Sequence, residues 1–326
     1  MRAVVLESYG EADVLQIKDV PDPEPGPEEV VVEIAATALN RADLLQRRGL
    51  YAAPLPAEHE IPGLELSGTV IATGPRCLTL KTGDEVMGIV GGGAYAERIA
   101  VHERQLMPTP STTALHDAAA IPEVFITAWD ALVVQGGLTS GRTALVHAGA
   151  SGVGTAAIQI CTAIGAHAIV TASTNKVQAC RDLGADVAVD YTRDDFVAAA
   201  QQAQGVDVVL DVIGGEYLDR NIDSLRTGGR IIQVGVMGEQ LATFPLGKLL
   251  FKRAGIIGTV LRARPVEEKI AVTQRFAREI LPLFDEGRLR PVIDRRYPLD
   301  DIAEAHRYME SNANVGKIRI DVTGRG

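Results

Sequence analysis

A run of small residues, Gly-Ala-Ser-Gly-Val-Gly at 149–154, constrains the fold of this chain more than any other feature. It follows an apolar, strand-like run at 143–148 and precedes a helix-like run at 155–164. Strand, glycine-rich turn and helix in this order are typical of a βαβ unit whose helix N-terminus faces the phosphates of a dinucleotide. A turn that binds no ligand is the alternative, and the strands that follow disfavour it.

Each glycine of this run has a predicted role. Gly149 is expected to permit the tight turn, Gly152 to let backbone amides approach a pyrophosphate, and Gly154 to let the helix pack closely. Ser151 is expected either to contact a phosphate or only to shape the turn. Val153 completes the set of loop residues that we predict to bind the cofactor.

Strands and helices alternate after this loop. Further strand-like runs lie at 168–171, 187–190, 206–212, 230–235 and 255–261. Such alternation predicts βαβ units and a parallel sheet. Six strands match the size of a Rossmann sheet.

The first third of the chain reads instead as short strands separated by turn residues. This pattern indicates an all-β body in the form of a partly closed barrel. With 326 residues, the chain is long enough for two domains. We predict a catalytic domain at 1–121, a dinucleotide-binding domain at 122–264, and a return to the first domain at 265–326. The return segment is expected to begin with one long amphipathic helix that ends near Glu286.

The segment after the second strand of the sheet predicts which dinucleotide binds. A carboxylate about 20 residues beyond the glycines holds the ribose of NAD, and no Asp or Glu lies between the loop and Asp182. Ser173 can donate to a 2′-phosphate, Lys176 can pair with it as a point charge, and Tyr191 can reach the same pocket. Each also has a structural interpretation: Ser173 as a turn or cap residue, Lys176 as a solvated helix residue, and Tyr191 as a residue that packs at the rim of the pocket. Together they predict NADPH rather than NADH.

The overall charge disfavours two classes of partner. The formal net charge is −10, and an acidic surface repels both nucleic acid and anionic lipid membranes. Cys77, Cys161 and Cys180 are far apart and odd in number, so we expect no disulfide framework and predict a cytoplasmic location. The apolar run at the N-terminus is too short for a signal peptide.

Motifs along the whole chain resemble those of the medium-chain dehydrogenase/reductase family. They are Asp22-Pro23-Glu24-Pro25-Gly26-Pro27, Pro62-Gly63-Leu64-Glu65, Gly83-Asp84-Glu85-Val86, Gly92-Gly93-Ala94-Tyr95-Ala96-Glu97 and Asn314-Val315-Gly316-Lys317-Ile318. The segments 147–154 and 48–51 are most similar to the quinone oxidoreductases of that family, in particular to their stress-inducible branch. The resemblance implies an α/β chain with a GroES-like, partly open β-barrel catalytic domain and a doubly wound Rossmann domain.

The sequence departs from the zinc-dependent members of this family. They carry a cysteine where this chain has Asn40, and a Gly-His-Glu motif where it has Gly63-Leu64-Glu65. A catalytic zinc needs three protein ligands, and the chain also lacks the four clustered cysteines of a structural zinc. We therefore predict no metal site.

Without zinc, quinones are favoured over simple alcohols as substrates. An alkoxide needs a Lewis acid, whereas a hydroquinone anion resembles tyrosinate in acidity, so orientation by the protein suffices for hydride transfer from the cofactor. Tyr51 is predicted to hydrogen-bond the carbonyl oxygen of the substrate, and packing against a neighbouring loop is the alternative. Asn40 is predicted to orient the nicotinamide or the substrate, and its position also fits a helix N-cap.

The resemblance assigns four further residues to the nicotinamide: Thr127, Val234, Gly235 and Val236. From the sequence alone Thr127 would face solvent, because it lies opposite the apolar face of its helix. The resemblance also implies a homodimer formed through the sixth strand, 255–261, since an open sheet edge is a natural site of pairing.

Two alternatives to quinone reduction remain open. An NADPH-dependent reductase of enones or enoyl thioesters would share the fold and use Tyr51 as a proton donor. A non-catalytic NADPH-binding or RNA-binding relative would keep the fold without the reaction, and the acidic charge argues against RNA.

Overall fold

The computed structural model describes residues 1–51, 53 and 59–323. The chain divides into two compact units, which we call unit 1 and unit 2. Unit 1 comprises Met1–Ile126 and Arg262–Gly326, and unit 2 comprises Thr127–Leu261. These divisions fall a few residues away from the predicted boundaries after 121 and 264.

The first part of unit 1 consists mainly of strands. In chain order its elements are β1 (Arg2–Leu6), β2 (Leu15–Asp19), β3 (Glu29–Ala38), α1 (Arg41–Arg47), β4 (Glu65–Thr73), β5 (Glu85–Ile89), β6 (Arg98–His102), β7 (Leu106–Pro108), α2 (Leu115–Ala118) and the start of α3 (Pro122–Trp129), a helix that continues into unit 2 after Ile126. Pro122 opens α3, which suits a residue that has no amide hydrogen to donate. The helix continues beyond Trp129 as a π-helical segment, Asp130–Gln135.

Unit 2 alternates strands with helices. Its elements are β8 (Thr143–Val146), α4 (Gly152–Ile164), β9 (His167–Ala172), α5 (Val177–Asp182), β10 (Val187–Asp190), α6 (Phe196–Gln202), β11 (Val206–Asp211), α7 (Tyr217–Ser224), β12 (Leu225–Gln233), α8 (Leu246–Lys252) and β13 (Gly255–Gly258). The predicted strand 255–261 therefore ends early, at Gly258. Its neighbour β12 ends at Gln233, directly opposite Gly258, so no ladder partner remains beyond that point.

The return segment completes unit 1 with α9 (Val266–Glu279), α10 (Leu281–Asp285), β14 (Ile293–Pro298), α11 (Ile302–Glu310) and β15 (Lys317–Asp321). The prediction of one helix up to Glu286 was wrong, because the backbone leaves ideal helical geometry at Ile280, where φ is −117°. Pro282 follows in the first turn of α10 and cannot donate the backbone hydrogen bond that a continuous helix requires.

The sheet of unit 2 is parallel throughout. In the described residues its six strands are ordered β10-β9-β8-β11-β12-β13, which is the doubly wound Rossmann order. Buried apolar side chains such as Leu145, Ile169 and Val209 fill its core. This arrangement confirms the predicted Rossmann sheet. None of the helices in the described residues combines the length and apolar character needed to cross a bilayer.

The main sheet of unit 1 is mixed. Across the part of the chain that the structure describes, it runs β14-β15-β3-β4-β5-β7, and β6 pairs with β3. Arg319 of β15 lies opposite Ala38 of β3, and Thr37 of β3 lies opposite Leu66 of β4. The C-terminal end of β3 and the N-terminal ends of β4 and β15 therefore lie next to one another, at the same end of the sheet.

An aromatic contact joins the two segments of unit 1. The rings of Phe125 and Phe284 meet edge to face with their centroids 4.8 Å apart, and both side chains are fully buried. This geometry is favourable for aromatic pairs.

We expect the substitution Phe284→Ala to lower the free energy of unfolding by about 3–5 kcal/mol, because it removes a buried aromatic ring and leaves a cavity. Chemical denaturation monitored by circular dichroism measures the change. Leu78→Ala is the control, since that side chain is 91% exposed and its loss should change stability by less than about 0.5 kcal/mol. Equal effects of the two substitutions would contradict the packing argument.

Candidate functional site

The glycine-rich loop of unit 2 presents free backbone amides at the start of α4. Ser151 is the N-cap, and its Oγ accepts a hydrogen bond of 3.0 Å from the Gly154 N–H. Within the described residues the amides of Gly152 and Val153 have no acceptor. Unpaired amides at the positive end of a helix dipole suit a phosphate group, so the loop fits the phosphates of a dinucleotide.

The tight turn of this loop is made at a different residue from the one predicted. Ala148, with φ of 56°, adopts the left-handed conformation, and Gly149 does not. Gly149 is needed for space instead, since an added Cβ would lie 2.7 Å from Cβ of Val170. Gly154 also leaves no space for a side chain, because an added Cβ would lie 2.3 Å from the Ala148 carbonyl oxygen.

A buried polar network supports the loop from below. Asn221 donates from Nδ2 to Asp211 Oδ2 (2.9 Å), so its Oδ1 accepts from Nε2 of His147 (2.7 Å). His147 Nδ1 then accepts from Thr171 Oγ1 at 3.2 Å. Burial lowers the pKa of His147, which keeps the imidazole neutral at neutral pH. These side chains fix the end of β8, where the loop begins.

The three residues predicted to select NADPH follow adjacent strand ends. Ala172 of β9 pairs with Asp190 of β10, so Ser173 and Tyr191 leave the sheet at the same edge. Ser173 donates to the Asn175 side chain at 2.9 Å, and its carbonyl oxygen accepts from the Lys176 N–H at 2.8 Å. Tyr191 is 51% exposed.

The residues that the resemblance assigned to the nicotinamide differ in exposure. Thr127 is buried, so the expectation from the sequence alone that it faces solvent was wrong. Val234 donates its N–H to the Asp211 carbonyl oxygen at 2.8 Å. Val236 is exposed, and around Gly235 no heavy atom lies closer than 3.8 Å to an added Cβ. The contact of these residues with a nicotinamide stays a prediction.

In unit 1 a buried ion pair lies at the end of the sheet where β3 ends and β4 and β15 begin. Lys317 Nζ is 2.6 Å from Glu65 Oε1, and both side chains are almost completely buried. Lys317 also donates to the carbonyl oxygen of Leu39 (2.6 Å) and to Asn40 Oδ1 (2.7 Å). Further hydrogen bonds of this kind are what a buried pair needs to offset desolvation.

Asn40 is held by the same pair. Its Nδ2 donates to Glu65 Oε1 (3.0 Å) and to the Ala38 carbonyl oxygen (3.1 Å). Its backbone N–H donates to Asp43 Oδ2 at 2.8 Å, and Asn40 is the N-cap of α1. Asn40 therefore occupies the N-cap position of α1 with its side chain held by protein contacts, and its orientation of a nicotinamide or substrate stays a prediction.

A second buried chain of polar groups starts at Asp43. Tyr95 donates its hydroxyl to Asp43 Oδ2 at 2.9 Å, and His306 Nε2 lies 3.3 Å from the same hydroxyl. Burial raises the pKa of Asp43 to about 6 and lowers the pKa of His306 to about 3. His306 is consequently uncharged at neutral pH.

Arg262 fixes Tyr51, the residue predicted to bind the substrate. It donates from Nε to the Gly91 carbonyl oxygen (2.9 Å), from Nη1 to the Tyr51 carbonyl oxygen (3.0 Å) and from Nη2 to Gln46 Oε1 (2.7 Å). Its guanidinium lies 4.9 Å from the centre of the Tyr51 ring, within cation–π range. Burial, and then the charge of Glu123, raises the pKa of Tyr51. The phenol therefore stays protonated and can donate a hydrogen bond.

Glu123 lies in the first turn of α3. Its backbone N–H donates to Glu65 Oε2 at 2.8 Å, which attaches it to the ion pair. Burial, and then the carboxylate of Glu65, raises the pKa of Glu123 to about 8. The carboxyl group is therefore mostly protonated at neutral pH. We call Asn40, Glu65, Glu123 and Lys317 together the Glu65 cluster.

Among the described residues, no group of three or more His, Cys, Asp or Glu is arranged to hold a metal ion. The predicted independence from zinc stays a prediction.

Sequence reasoning missed Glu65, Glu123, Arg262 and Lys317 as functional candidates. A signal existed for Glu65, because a charged residue between two leucines at the start of a strand is unusual in an apolar run. Glu123 reads as an ordinary acidic residue in the first turn of a helix. Arg262 gives no local signal, since its partners are distant in the sequence.

Two family models match the chain. The alcohol dehydrogenase GroES-like domain matches residues 26–111, within unit 1, and the zinc-binding dehydrogenase domain matches residues 183–319. The words "zinc-binding" in the description of the second model refer to members of that family, and they assign no zinc ligand to this chain.

Known proteins are similar over almost the whole chain. The human synaptic vesicle membrane protein VAT-1 homolog is 30% identical over 98% of this chain and 86% of its own length. Quinone oxidoreductase-like protein 2 of Bos taurus is 31% identical over 91% of this chain and 86% of its own. A solved NAD-dependent alcohol dehydrogenase superimposes with a TM-score of 0.89 at 34% identity, covering 99% of this chain and all of the other. The chain therefore belongs to the medium-chain dehydrogenase/reductase family, as an oxidoreductase with a GroES-like domain, a Rossmann fold for a nicotinamide dinucleotide, and quinone oxidoreductases among its relatives.

Proposed function

We propose that this chain reduces quinones with NADPH, by hydride transfer and without a catalytic metal. The observation that carries the proposal is the position of Lys317, whose ammonium group lies 2.6 Å from Glu65 and 2.7 Å from Asn40. The side-chain oxygens of Glu65 and Asn40, which would attract a metal cation, instead bind the ammonium group of Lys317. Such a donor set fits a site that works by orientation and hydrogen bonding rather than by Lewis acidity.

Quinones are the substrates that this site suits best. NADPH, when bound, supplies the hydride. The oxyanion that forms on a quinone has a conjugate acid with a pKa of about 10, as in tyrosine, so a neutral hydrogen-bond donor is sufficient to stabilise it. Tyr51 is that donor in our proposal, with Arg262 holding its backbone and ring. Asn40 acts by holding Glu65 and Lys317 in place.

Backbone amides and one lysine hold the cofactor in this proposal. The unpaired amides of Gly152 and Val153 receive the pyrophosphate, and Ser173, Lys176 and Tyr191 surround the 2′-phosphate. The alcohol dehydrogenase that superimposes on the chain is named for NAD. In this chain, however, Ser173 stands directly after β9, where an acidic residue would bind the ribose of NAD. The name of the bovine relative supports quinones as the substrate class.

The alternatives predict different results when oxidation of NADPH is measured with a quinone and with an enone. A reductase of enones shares the fold, and the protonated Glu123 favours it as a second activity. A non-catalytic NADPH-binding protein would bind the cofactor tightly without turnover.

A cytoplasmic location also belongs to the proposal and rests on the three cysteines, which are free thiols.

The proposal includes a homodimer formed through the edge of the unit 2 sheet. Within the described residues β13 pairs only with β12, so its outer edge is open. The neighbouring helix α8 exposes Leu246, Leu250 and Phe251. An open edge beside exposed apolar side chains is a typical site of association between copies of a chain.

We expect the protein to oxidise NADPH with para-benzoquinone at a rate that a chelator does not change.

The substitution Lys176→Met should weaken NADPH binding about 10- to 100-fold, because a hydrogen bond to a charged phosphate contributes about 1.5–3 kcal/mol. Binding of NADH should change less than about 2-fold. Titration of each nucleotide by calorimetry measures both affinities, with Lys81→Met in unit 1 as the charge-matched control. A preference for NADH, or equal losses for both nucleotides, would argue against the NADPH assignment.

The wild-type protein should have twice the mass of one chain in size-exclusion chromatography with light scattering. Phe251→Glu should shift it to the monomer, because a charge would be buried at the proposed interface. Leu78→Glu, which changes another exposed apolar residue, should leave the dimer intact. A monomeric wild-type protein would refute the dimer.

A further inference from the structure

Two buried cations of unit 1 have no carboxylate partner among the described residues. The buried lysine and arginine side chains are Arg47, Arg262, Lys269, Lys317 and Arg319. Three of them form ion pairs: Arg47 with Glu310, Lys317 with Glu65, and Arg319 with Asp117 and Asp321. Arg262 and Lys269 form none with a described carboxylate. Because lysine and arginine are rarely buried without a partner, these two exceptions indicate a special role.

Arg262 is bound by neutral groups alone. Its three nitrogens donate to the carbonyl oxygens of Gly91 and Tyr51 and to the side-chain amide oxygen of Gln46. These hydrogen bonds fix the guanidinium but leave its charge uncancelled. The residue is only 4% exposed, so salt and water screen that charge poorly.

Lys269 is the less favourably placed of the two cations. It lies near the start of α9 and is 7% exposed, and within the described residues its ammonium group has neither a hydrogen bond nor an ion pair. The positive end of the α9 dipole also disfavours a cation there. Lys269 Nζ is not one of the fully enclosed polar atoms that lack a partner, so a ligand can reach it.

The charged groups nearest to Lys269 do not neutralise it. Arg262 repels the ammonium group, and the carboxyl group of Glu123 attracts it. Burial, and then the charge of Glu65, raises the pKa of Glu123 to about 8, so that Glu123 is mostly uncharged at neutral pH. An excess of positive charge therefore remains around Lys269 and Arg262.

The aromatic ring of Tyr51 lies beside this positive charge, with its centre 4.9 Å from the Arg262 guanidinium. Asp43 and Glu60 are the other carboxyl groups that act on Arg262. Both already accept hydrogen bonds from neutral groups, Asp43 from the Tyr95 hydroxyl and Glu60 from the Gln46 side chain. An anion bound next to Tyr51 would thus gain from two cations that no described carboxylate pairs with.

We propose that Lys269 binds a carboxylate group carried by the quinone substrate, and that the charge of Arg262 strengthens this binding. The inference rests on the proposed function, which puts the carbonyl group of the quinone at Tyr51. A single ammonium group has three donors, which suits a monoanionic carboxylate, whereas a phosphate dianion needs more. Hydride from NADPH and a proton from water convert the quinone to the hydroquinone, NADP⁺ is formed, and the carboxylate is unchanged.

Binding to the protein without NADPH tests the inference in the absence of turnover. The probes are 4-hydroxybenzoate and 4-hydroxybenzamide, which share a ring and a phenol and differ in charge. We expect the wild type to bind the benzoate about 10- to 100-fold more tightly, as is usual for a hydrogen bond between charged groups. Lys269→Met should reduce this preference to less than about 3-fold. Titration calorimetry measures the affinities, and Lys81→Met, an exposed lysine of unit 1, should keep the wild-type preference.

Steady-state kinetics extend the test to substrates. The pair is 1,4-benzoquinone-2-carboxylate and its neutral methyl ester, each with NADPH. For Lys269→Met we expect KM of the carboxylate to rise about 10- to 100-fold and KM of the ester to change less than about 2-fold, with kcat of each within about 3-fold. Each substrate is compared between variant and wild type, because the two rings differ in reactivity.

Thermal unfolding shows whether Lys269 has a structural role instead. Lys269→Met removes a buried charge that has no counter-ion, so its Tm should equal or exceed that of the wild type. Lys317→Met leaves Glu65 buried without its cation and should lower the Tm. If Lys269→Met lowered the Tm as much as Lys317→Met, Lys269 would have a partner within the protein and the inference would be overturned.

The outcomes separate this inference from the proposed function. If the wild type reduces the ester but shows no preference for carboxylates, or if Lys269→Met weakens both probes equally, the role of Lys269 is refuted and quinone reduction stands. If Lys269 is required for binding 4-hydroxybenzoate but neither quinone is reduced, the carboxylate site stands and the proposed function fails.

Discussion

The organisation of unit 1 depends on the buried ion pair between Glu65 and Lys317. The pair joins the start of β4 to the start of β15, and its remaining hydrogen-bonding capacity fixes Asn40 before α1 and the first turn of α3 through Glu123. Loss of one partner would leave a buried charge uncompensated, at a cost of about 3–5 kcal/mol. One interaction thus aligns four elements that are distant in the sequence.

The same pair gives two neighbouring carboxyl groups different chemistry. Glu65 faces an ammonium group and amide hydrogens, all at hydrogen-bonding distance. Burial, and then the negative charge of Glu65, raises the pKa of Glu123 to about 8. The surroundings of each side chain, rather than the residue type, therefore determine the hydrogen bonds that Glu65 accepts and the raised pKa of Glu123.

The parts of the fold that were predicted correctly have local causes. The glycine-rich loop, the strand before it and the helix after it lie within about two dozen consecutive residues, and alternation along 143–258 indicates the parallel sheet. The break at Ile280 was missed because an amphipathic pattern continues across Pro282. The Glu65 cluster could not be predicted, since Asn40, Glu65 and Lys317 meet only through the register of β3 with β4 and β15. Periodicity in a sequence carries no information about such register between distant strands.

The division of unit 1 into two chain segments has a consequence for its synthesis. A ribosome exposes Glu65 early, but its cationic partner Lys317 emerges only with the last strand of the sheet. Unit 2 is one continuous segment and has all its strands while β14 and β15 are still to be made. Since domains fold as units during translation, the nucleotide-binding unit can reach its native state first, although the longer of the two segments of the other unit precedes it. A nascent chain would thus be able to hold its cofactor before it possesses a site at which to use it.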